Sequence, residues 1–460
     1  MLRYAIENFG LSETIDPHFE PFANKRYWEI YEGLTALGPD GSPRPALAET
    51  WQRSAPDRLR FVLRSGAAFE SGRAVTASDV VASFERARTP RKSFSVAARL
   101  DTIATIETLD DRTIDVVTSR PDPLLLARLS DLMIVDASDA ADDRPGGSGA
   151  YRLASFDPGR LIRLERRDGR ARYDEVEVWI IPEADRAAAL RDGLVDLIAC
   201  QPAERAALVD AGFVAVDGPV TAAAGYFLDT VNPDWPTSDR RVRRAINLAV
   251  DQARILAEVY GGAGEITPGQ FAHAGITGHD PNLRAFGHDP AGARALLAEA
   301  GWGGGFEVTI DAVGYYPPDL PKAKRVAEDL AAVGIASRIS LIPDLETALQ
   351  RWYGRTPRGH LSPTSLSQAP AQDAEYALGW FDRDHPTHHY ANDAFDAVHR
   401  PSQTELDPDR RLNLLQRSAR VLHDDPPFLW TVGLRTGYAV RPGLTFQPRS
   451  DGSVQPEEVV

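Results

Sequence analysis

Residues 31–87 constrain the fold of this chain more than any other stretch. Residues 59–63 alternate in polarity, which is the period of a strand with one face in a core. After a turn at Gly66, Thr76 or Ser78 can cap a helix. The apolar face of this helix carries Val80, Val81 and Phe84. The stretch therefore predicts a strand, a glycine turn and a capped helix that pack together, and it contains no catalytic group.

The same residues resemble the signature of the family 5 solute-binding proteins of ABC importers. That signature reads roughly YEGL, PALAxxW, FxLRxGxxFxxG and TAxDVxxSFxR, and nearly every fixed position is kept between Tyr31 and Arg86. Further matches follow in the family's order: a turn at 147–151, an ALxxGxxDL-like element at 189–197, an arginine-rich helix at 239–251, a YDPxxAxxLLxEAG-like helix at 288–301 and a DPxxR-like piece at 407–411. The resemblance thus runs from one end of the chain to the other.

The resemblance implies an α/β fold of the periplasmic-binding-protein-like class II type, with two lobes and an extra small domain, the arrangement called cluster C. We expect the first lobe to comprise residues 1–36, 148–233 and 428–460. The small domain would then be 37–147 and the second lobe 234–427. A chain of 460 residues is also too long for a single compact core.

By this resemblance, the protein is an extracellular solute-binding protein that captures a peptide between two closing lobes and delivers it to an ABC permease. A nickel or other metal chelate is the alternative ligand, followed by an opine or oligosaccharide; a cytoplasmic solute-sensing module is a further alternative. The sequence has no G-x-S-x-G elbow, H-E-x-x-H pair, phosphate-binding loop or dinucleotide fingerprint, so we expect no enzyme. We also expect no cofactor, unless a nickel chelate is carried as the transported ligand.

The composition limits which classes of partner and which cellular compartments are compatible with this chain. The formal charge of −15 argues against a nucleic-acid partner, which would need a basic face. Cys200 is the only cysteine, which excludes an intrachain disulfide and is typical of a small buried apolar residue. No apolar run approaches the ~20 residues of a membrane span, and residues 1–6 resemble a strand rather than a leader. The resemblance nevertheless implies a monomer in the periplasm or outside the cell, associated with the membrane through the permease subunits.

The segment 362–390 is predicted to carry the ligand contacts of the second lobe. In peptide-binding relatives, an aspartate in this region pairs with the N-terminal ammonium of the peptide. By order along the chain Asp373 is the best match, with Asp382 and Asp384 behind it. The tryptophan that relatives carry just before this aspartate is absent here, and a solvated loop aspartate is the alternative interpretation.

Aromatic side chains are expected to line the ligand cleft, because such pockets are mostly apolar with few polar groups. The predicted lining residues are Phe19, Phe22, Tyr376, Trp380 and Tyr390, with Tyr226, Phe227 and Trp235 as further candidates. Each of them also fits a core position, and that alternative stays open.

Three histidines lie within five residues: His385, His388 and His389. Neutral imidazoles suit nickel, copper or zinc, and nickel-binding relatives use a histidine in roughly this place. These three residues would contact a metal only if the ligand is a metal chelate. Pro386 prevents a helical pair of ligands, and a solvated loop is the alternative.

Overall fold

The structure is a computed structural model, which describes residues 1–6, 15–18, 29–89, 96–139, 144–200, 202–314, 316–352, 359–368, 371–387 and 389–460. Strands and helices alternate through these residues, which confirms the predicted α/β class. The predicted site residues Phe19, Phe22 and His388 lie outside them.

The strands are β1 (Leu2–Ile6), β2 (Thr35–Leu37), β3 (Pro43–Pro45), β4 (Ala48–Ala55), β5 (Arg58–Leu63), β6 (Ile103–Thr108), β7 (Thr113–Thr118), β8 (Tyr151–Asp157), β9 (Leu161–Arg166), β10 (Glu175–Ile180), β11 (Leu197–Cys200), β12 (Val214–Leu228), β13 (Phe306–Val313), β14 (Ile335–Ile342), β15 (Leu361–Ser367) and β16 (Phe428–Val440).

The α-helices are α1 (Ala77–Arg88), α2 (Leu125–Arg128), α3 (Glu183–Arg191), α4 (Pro202–Asp210), α5 (Arg240–Ala249), α6 (Gln252–Tyr260), α7 (Pro290–Glu299), α8 (Asp319–Ala331), α9 (Leu345–Trp352), α10 (Glu375–Leu378), α11 (Asp393–Ser402) and α12 (Pro408–Asp424). Short 3₁₀ helices lie at Val96–Leu100, Ala137–Asp139, Pro236–Ser238, Gly379–Phe381 and Pro456–Glu458.

The strand and capped helix predicted near the start of the chain are both present. Strand β5 buries its alternate apolar residues, as the period of two requires. Thr76 caps α1, and the Asp79 carboxylate accepts the backbone N–H of Thr76 at 2.9 Å, which completes a capping box. The turn between the two elements has Gly66 at φ +74°, a left-handed conformation that favours glycine.

The chain divides into two compact units. The first comprises Met1–Pro219, Thr404–Leu406 and Gly437–Val460, and the second comprises Val220–Gln403 and Asp407–Thr436. The predicted small domain, residues 37–147, lies within the first unit. The three-part division of the chain stays a prediction.

Two sheets dominate the first unit. One follows the order β11-β1-β10-β9-β8, and the end of β16 pairs antiparallel with β11. The other is antiparallel, follows the order β4-β5-β7-β6, and shares a hydrophobic cluster with α1. Cys200 ends β11 and is buried, as predicted.

The sheet of the second unit follows the order β14-β13-β15-β12-β16. Strands β13 and β14 pair in parallel, whereas β12 and β15 pair antiparallel. Helices α5, α7 and α8 contribute buried side chains to the core on this sheet. At Gly225 in β12, an added Cβ would lie 2.1 Å from the carbonyl oxygen of Leu429, so only glycine fits. Within the described residues, no helix combines the length and apolar character needed to cross a membrane.

Candidate functional site

The predicted ligand residues of the second unit gather in one segment, which we call the candidate loop: residues 371–387, 389 and 390. It contains the single-turn helix α10 and the 3₁₀ turn Gly379–Phe381. Two longer helices, α11 and α12, supply most of the charged partners described below. The loop is therefore held by side chains that come later in the chain.

Asp373 lies in a buried ion pair with Arg411 of α12. Its carboxylate oxygens accept N–H groups of Arg411 at 2.6 and 2.9 Å and also the backbone N–H of Glu375 at 3.0 Å. The side chains of Asp373 and Arg411 are only 5% and 7% exposed. Three of the roughly four acceptor positions of this carboxylate are thus already used. Its contact with a ligand stays a prediction, and its visible role is to anchor the start of the loop.

A second anchor is the fully buried imidazole of His399 in α11. Its Nδ1 lies 2.7 Å from Asp382, and its Nε2 lies 3.1 Å from Glu375. Burial alone would lower the pKa of His399, but the charge of Glu375 and hydrogen bonds to both carboxylates raise it to about 10. The pKa of Glu375 is lowered in turn: burial opposes this, but the His399 charge outweighs it. The imidazole is therefore a cation that joins Glu375, near the start of the loop, to Asp382 in its middle.

Aromatic rings connect the loop to strand β12 in a continuous row. The ring of Trp380 lies 4.7 Å from that of His385 and 5.9 Å from that of Phe227. Phe227 stacks on its other neighbour, His389, at 4.3 Å and an angle of 12°. Trp380 and His385 are partly exposed, whereas Phe227 and His389 are buried. The row is therefore accessible at its Trp380–His385 end and buried in the core at its Phe227–His389 end.

His385 is arranged as a hydrogen-bond donor. Its Nδ1 accepts the backbone N–H of Thr387 at 3.3 Å and lies 2.8 Å from the Thr387 hydroxyl. Burial lowers the pKa of His385, so the ring is neutral at pH 7 and carries its proton on Nε2. A metal bound at Nε2 would require the other tautomer, which this backbone contact opposes.

The remaining predicted residues divide between surface and core. Tyr390 is buried and donates its hydroxyl to Asp425 at 3.0 Å, while Tyr376 is partly exposed. Asp384 is exposed and lies 2.7 Å from Arg400. The side chains of Asp382, Tyr376 and Trp380 are all partly exposed.

Two of the three predicted histidines, His385 and His389, lie within the described residues. No group of three His, Cys, Asp or Glu side chains suited to a metal ion occurs in the described ranges. His389 packs its ring on Phe227, and its carbonyl oxygen accepts the backbone N–H and the hydroxyl of Thr230. The role of His385, His388 and His389 toward a metal chelate stays a prediction.

Sequence reasoning missed the residues that hold the loop: Glu375, His399 and Arg411. One signal was available for Arg411, because it is the arginine of the DPxxR-like piece at 407–411. Asp407 caps α12, and Arg411 lies one turn after it. An arginine at such a position can form an ion pair with an acid that is distant in the sequence. His399 gave no comparable signal.

Comparisons with known proteins agree with this architecture. Residues 42–386 match the model of the bacterial extracellular solute-binding proteins, family 5 (middle region). The dipeptide-binding protein of Escherichia coli is 24% identical over 439 residues, covering 84% of this chain and 80% of that protein.

Solved structures show the same fold. The periplasmic binding protein DppA of Helicobacter pylori, in complex with the peptide STSA, matches with a TM-score of 0.82 at 22% identity, over 100% of this chain and 97% of that one. NikA of Brucella suis, in complex with Fe(III)-EDTA, matches with a TM-score of 0.85 at 20% identity, over 100% and 99%. This chain belongs to the family 5 bacterial extracellular solute-binding proteins and has their two-lobed class II fold.

Proposed function

We propose that this protein captures a peptide outside the cytoplasmic membrane and delivers it to the permease subunits of an ABC importer. Membership of family 5 carries the proposal, because the family match spans residues 42–386. The similarity to a dipeptide-binding protein favours peptide over other solutes of the family. The protein binds its solute and leaves it chemically unchanged.

Asp382 is the acid best suited to the peptide ammonium. Its carboxylate accepts from Gln403 at 2.8 Å and contacts His399, yet its side chain remains 22% exposed. Around it, the carboxylates of Asp373, Glu375 and Asp382 face two cations, Arg411 and His399, so one negative charge is left over. An ammonium ion beside Asp382 would compensate that charge.

The accessible end of the aromatic row supplies the other contacts. Trp380 offers an apolar ring for a side chain of the peptide. The Nε2–H of His385 would donate to a carbonyl or carboxylate oxygen of the ligand. Both rings are held by their neighbours, which lowers the entropy lost when a ligand binds.

Native mass spectrometry of the purified protein, compared with its denatured mass, tests the ligand class. We expect a heterogeneous added mass of a few hundred daltons that fragments to amino acids. If the protein is purified empty, a library of dipeptides and tripeptides should restore that mass. A single added mass with the isotope pattern of nickel would contradict the peptide proposal and favour a nickel chelate as the ligand.

Asp382→Asn tests the ammonium contact. We expect at least a tenfold loss of peptide affinity, because a hydrogen bond to a charged group contributes about 1.5–3 kcal/mol. The measurement is calorimetric titration with one peptide and with its N-acetylated form. If Asp382 binds the ammonium, the unchanged protein should bind the acetylated peptide more weakly than the free one. Asp382→Asn should then lower the affinity for the acetylated peptide only slightly.

Asp384→Asn is the matched control, because it is the same change on an exposed acid two residues away. It should leave both affinities nearly unchanged. Equal losses for the free and acetylated peptides in Asp382→Asn would assign Asp382 to loop structure and refute the ammonium contact.

A further inference from the structure

The first unit contains a cavity of about 390 Å³ that is separate from the candidate loop of the second unit. Its walls come from residues within 29–37, 45–46, 130–133, 150–151, 170–172 and 455–457. The side chains that matter for its chemistry are Glu29, Tyr31, Met133, Tyr151, Arg172 and Glu457.

Glu29 is unusual because it is buried, at 9% exposure, although no described residue forms an ion pair with it. After burial, the group that raises the pKa of Glu29 most is a second acid of the same cavity wall, Glu457. Glu32, on the same wall, differs: it lies 2.8 Å from both Arg64 and Arg170. Within the described part of the chain, no ion pair neutralises Glu29 or Glu457.

A carboxylate in this position is costly unless it is protonated or paired with a cation. Burial raises the pKa of Glu29 well above its usual range, and the neighbouring charges of Glu457 and Glu458 raise it further, while Arg449 lowers it. Arg449 itself is engaged by Glu458 at 2.5 Å and by the Leu37 carbonyl at 2.7 Å. Burial and the neighbouring acids therefore favour the protonated form of Glu29 when no cation is bound.

Two buried tyrosines line the same cavity. The Tyr31 hydroxyl donates to the Pro145 carbonyl at 3.0 Å, and the Tyr151 hydroxyl accepts the backbone N–H of Tyr173 at 3.0 Å. Both rings are thereby fixed in the cavity wall. Aromatic rings beside carboxylates are the combination that attracts organic cations.

We propose that this cavity binds a small alkylammonium ion, with Glu29 and Glu457 as its charge partners and Tyr31 and Tyr151 as its aromatic walls. The cation takes the place of the proton on Glu29, and that proton is released to solvent. Because all of these residues belong to the first unit, the inference does not depend on the peptide proposal.

Calorimetric titration of the full chain with n-butylammonium and tetramethylammonium tests the inference. We expect saturable binding whose affinity rises with pH, because the proton leaves more easily at higher pH. The heat should depend on the ionisation enthalpy of the buffer, which reports release of up to about one proton per cation. Absence of binding at millimolar concentrations would refute the proposal.

Three variants identify the groups involved. Glu29→Gln and Glu457→Gln should each weaken binding at least tenfold and remove the buffer dependence. Glu457 is exposed, so its variant remains informative if Glu29→Gln does not fold. Arg172→Gln should strengthen binding, because it removes a cation from the cavity wall.

Glu165→Gln is the control, since this acid of the first unit pairs with Arg152 at the surface. It should leave the affinity unchanged. Weaker binding in Arg172→Gln, or binding of calcium but not of alkylammonium ions, would contradict the assignment.

Discussion

Arg411→Met is expected to lower the free energy of unfolding of the second unit by about 3–5 kcal/mol. The substitution leaves the Asp373 carboxylate buried without its cation, although it keeps most of the apolar volume of the arginine stem. Hydrogen exchange at the backbone amides of residues 373–382 measures the effect where it arises, because this part of the candidate loop loses its anchor first.

The double variant Asp373→Asn/Arg411→Met is the control for this experiment. With both charges removed, we expect much of the lost stability to return, because the penalty comes from the uncompensated charge rather than from the missing pair. Exchange rates in Arg411→Met close to those of the unchanged protein would show that Asp373 does not depend on Arg411.

The stability of the candidate loop is expected to decrease as the pH rises from about 6.5 toward 10. His399 has a folded-state pKa of about 10, above the value near 6.5 expected in the unfolded chain. A group whose pKa is raised by folding contributes its full stabilisation below the unfolded pKa and loses it as the pH passes through the folded pKa. Each unit of pKa difference corresponds to about 1.4 kcal/mol, so the change should be readily measurable.

His399→Gln separates this effect from other groups that titrate at high pH. Glutamine keeps hydrogen-bonding capacity but has no charge to lose. Protection of the loop amides, relative to their intrinsic exchange rate at each pH, should therefore be lower at pH 6 and should change less toward pH 10. The same pH slope in His399→Gln and the unchanged protein would contradict the assignment to His399.

The parts of the fold that follow from local periodicity were predictable. The alternation in β5 and the Thr76 cap of α1 depend on residues a few positions apart, and both appear where the pattern places them. Family membership was predictable for a similar reason, because the motif at 31–87 is a contiguous run of packing residues.

The charge pairing of the candidate loop was not predictable in this way. Asp373, Asp382 and Asp384 look alike in the sequence, but one is buried against Arg411, one is shared with His399 and one is exposed. These differences come from partners on α11 and α12. The hydrophobic periodicity of the sequence does not indicate which of these partners a given acid will contact. The glutamates of the first-unit cavity come from opposite ends of the chain, so their contact is equally hidden.

The pairing of β11 with β16 has a consequence for the order in which the protein is made. Leu197 faces Val440 across this ladder, so the sheet of the first unit stays incomplete until nearly all of the chain has left the ribosome. The candidate loop likewise waits for His399 and Arg411. Contacts between such distant residues slow folding. A growing chain of this kind therefore remains unfinished through most of its synthesis.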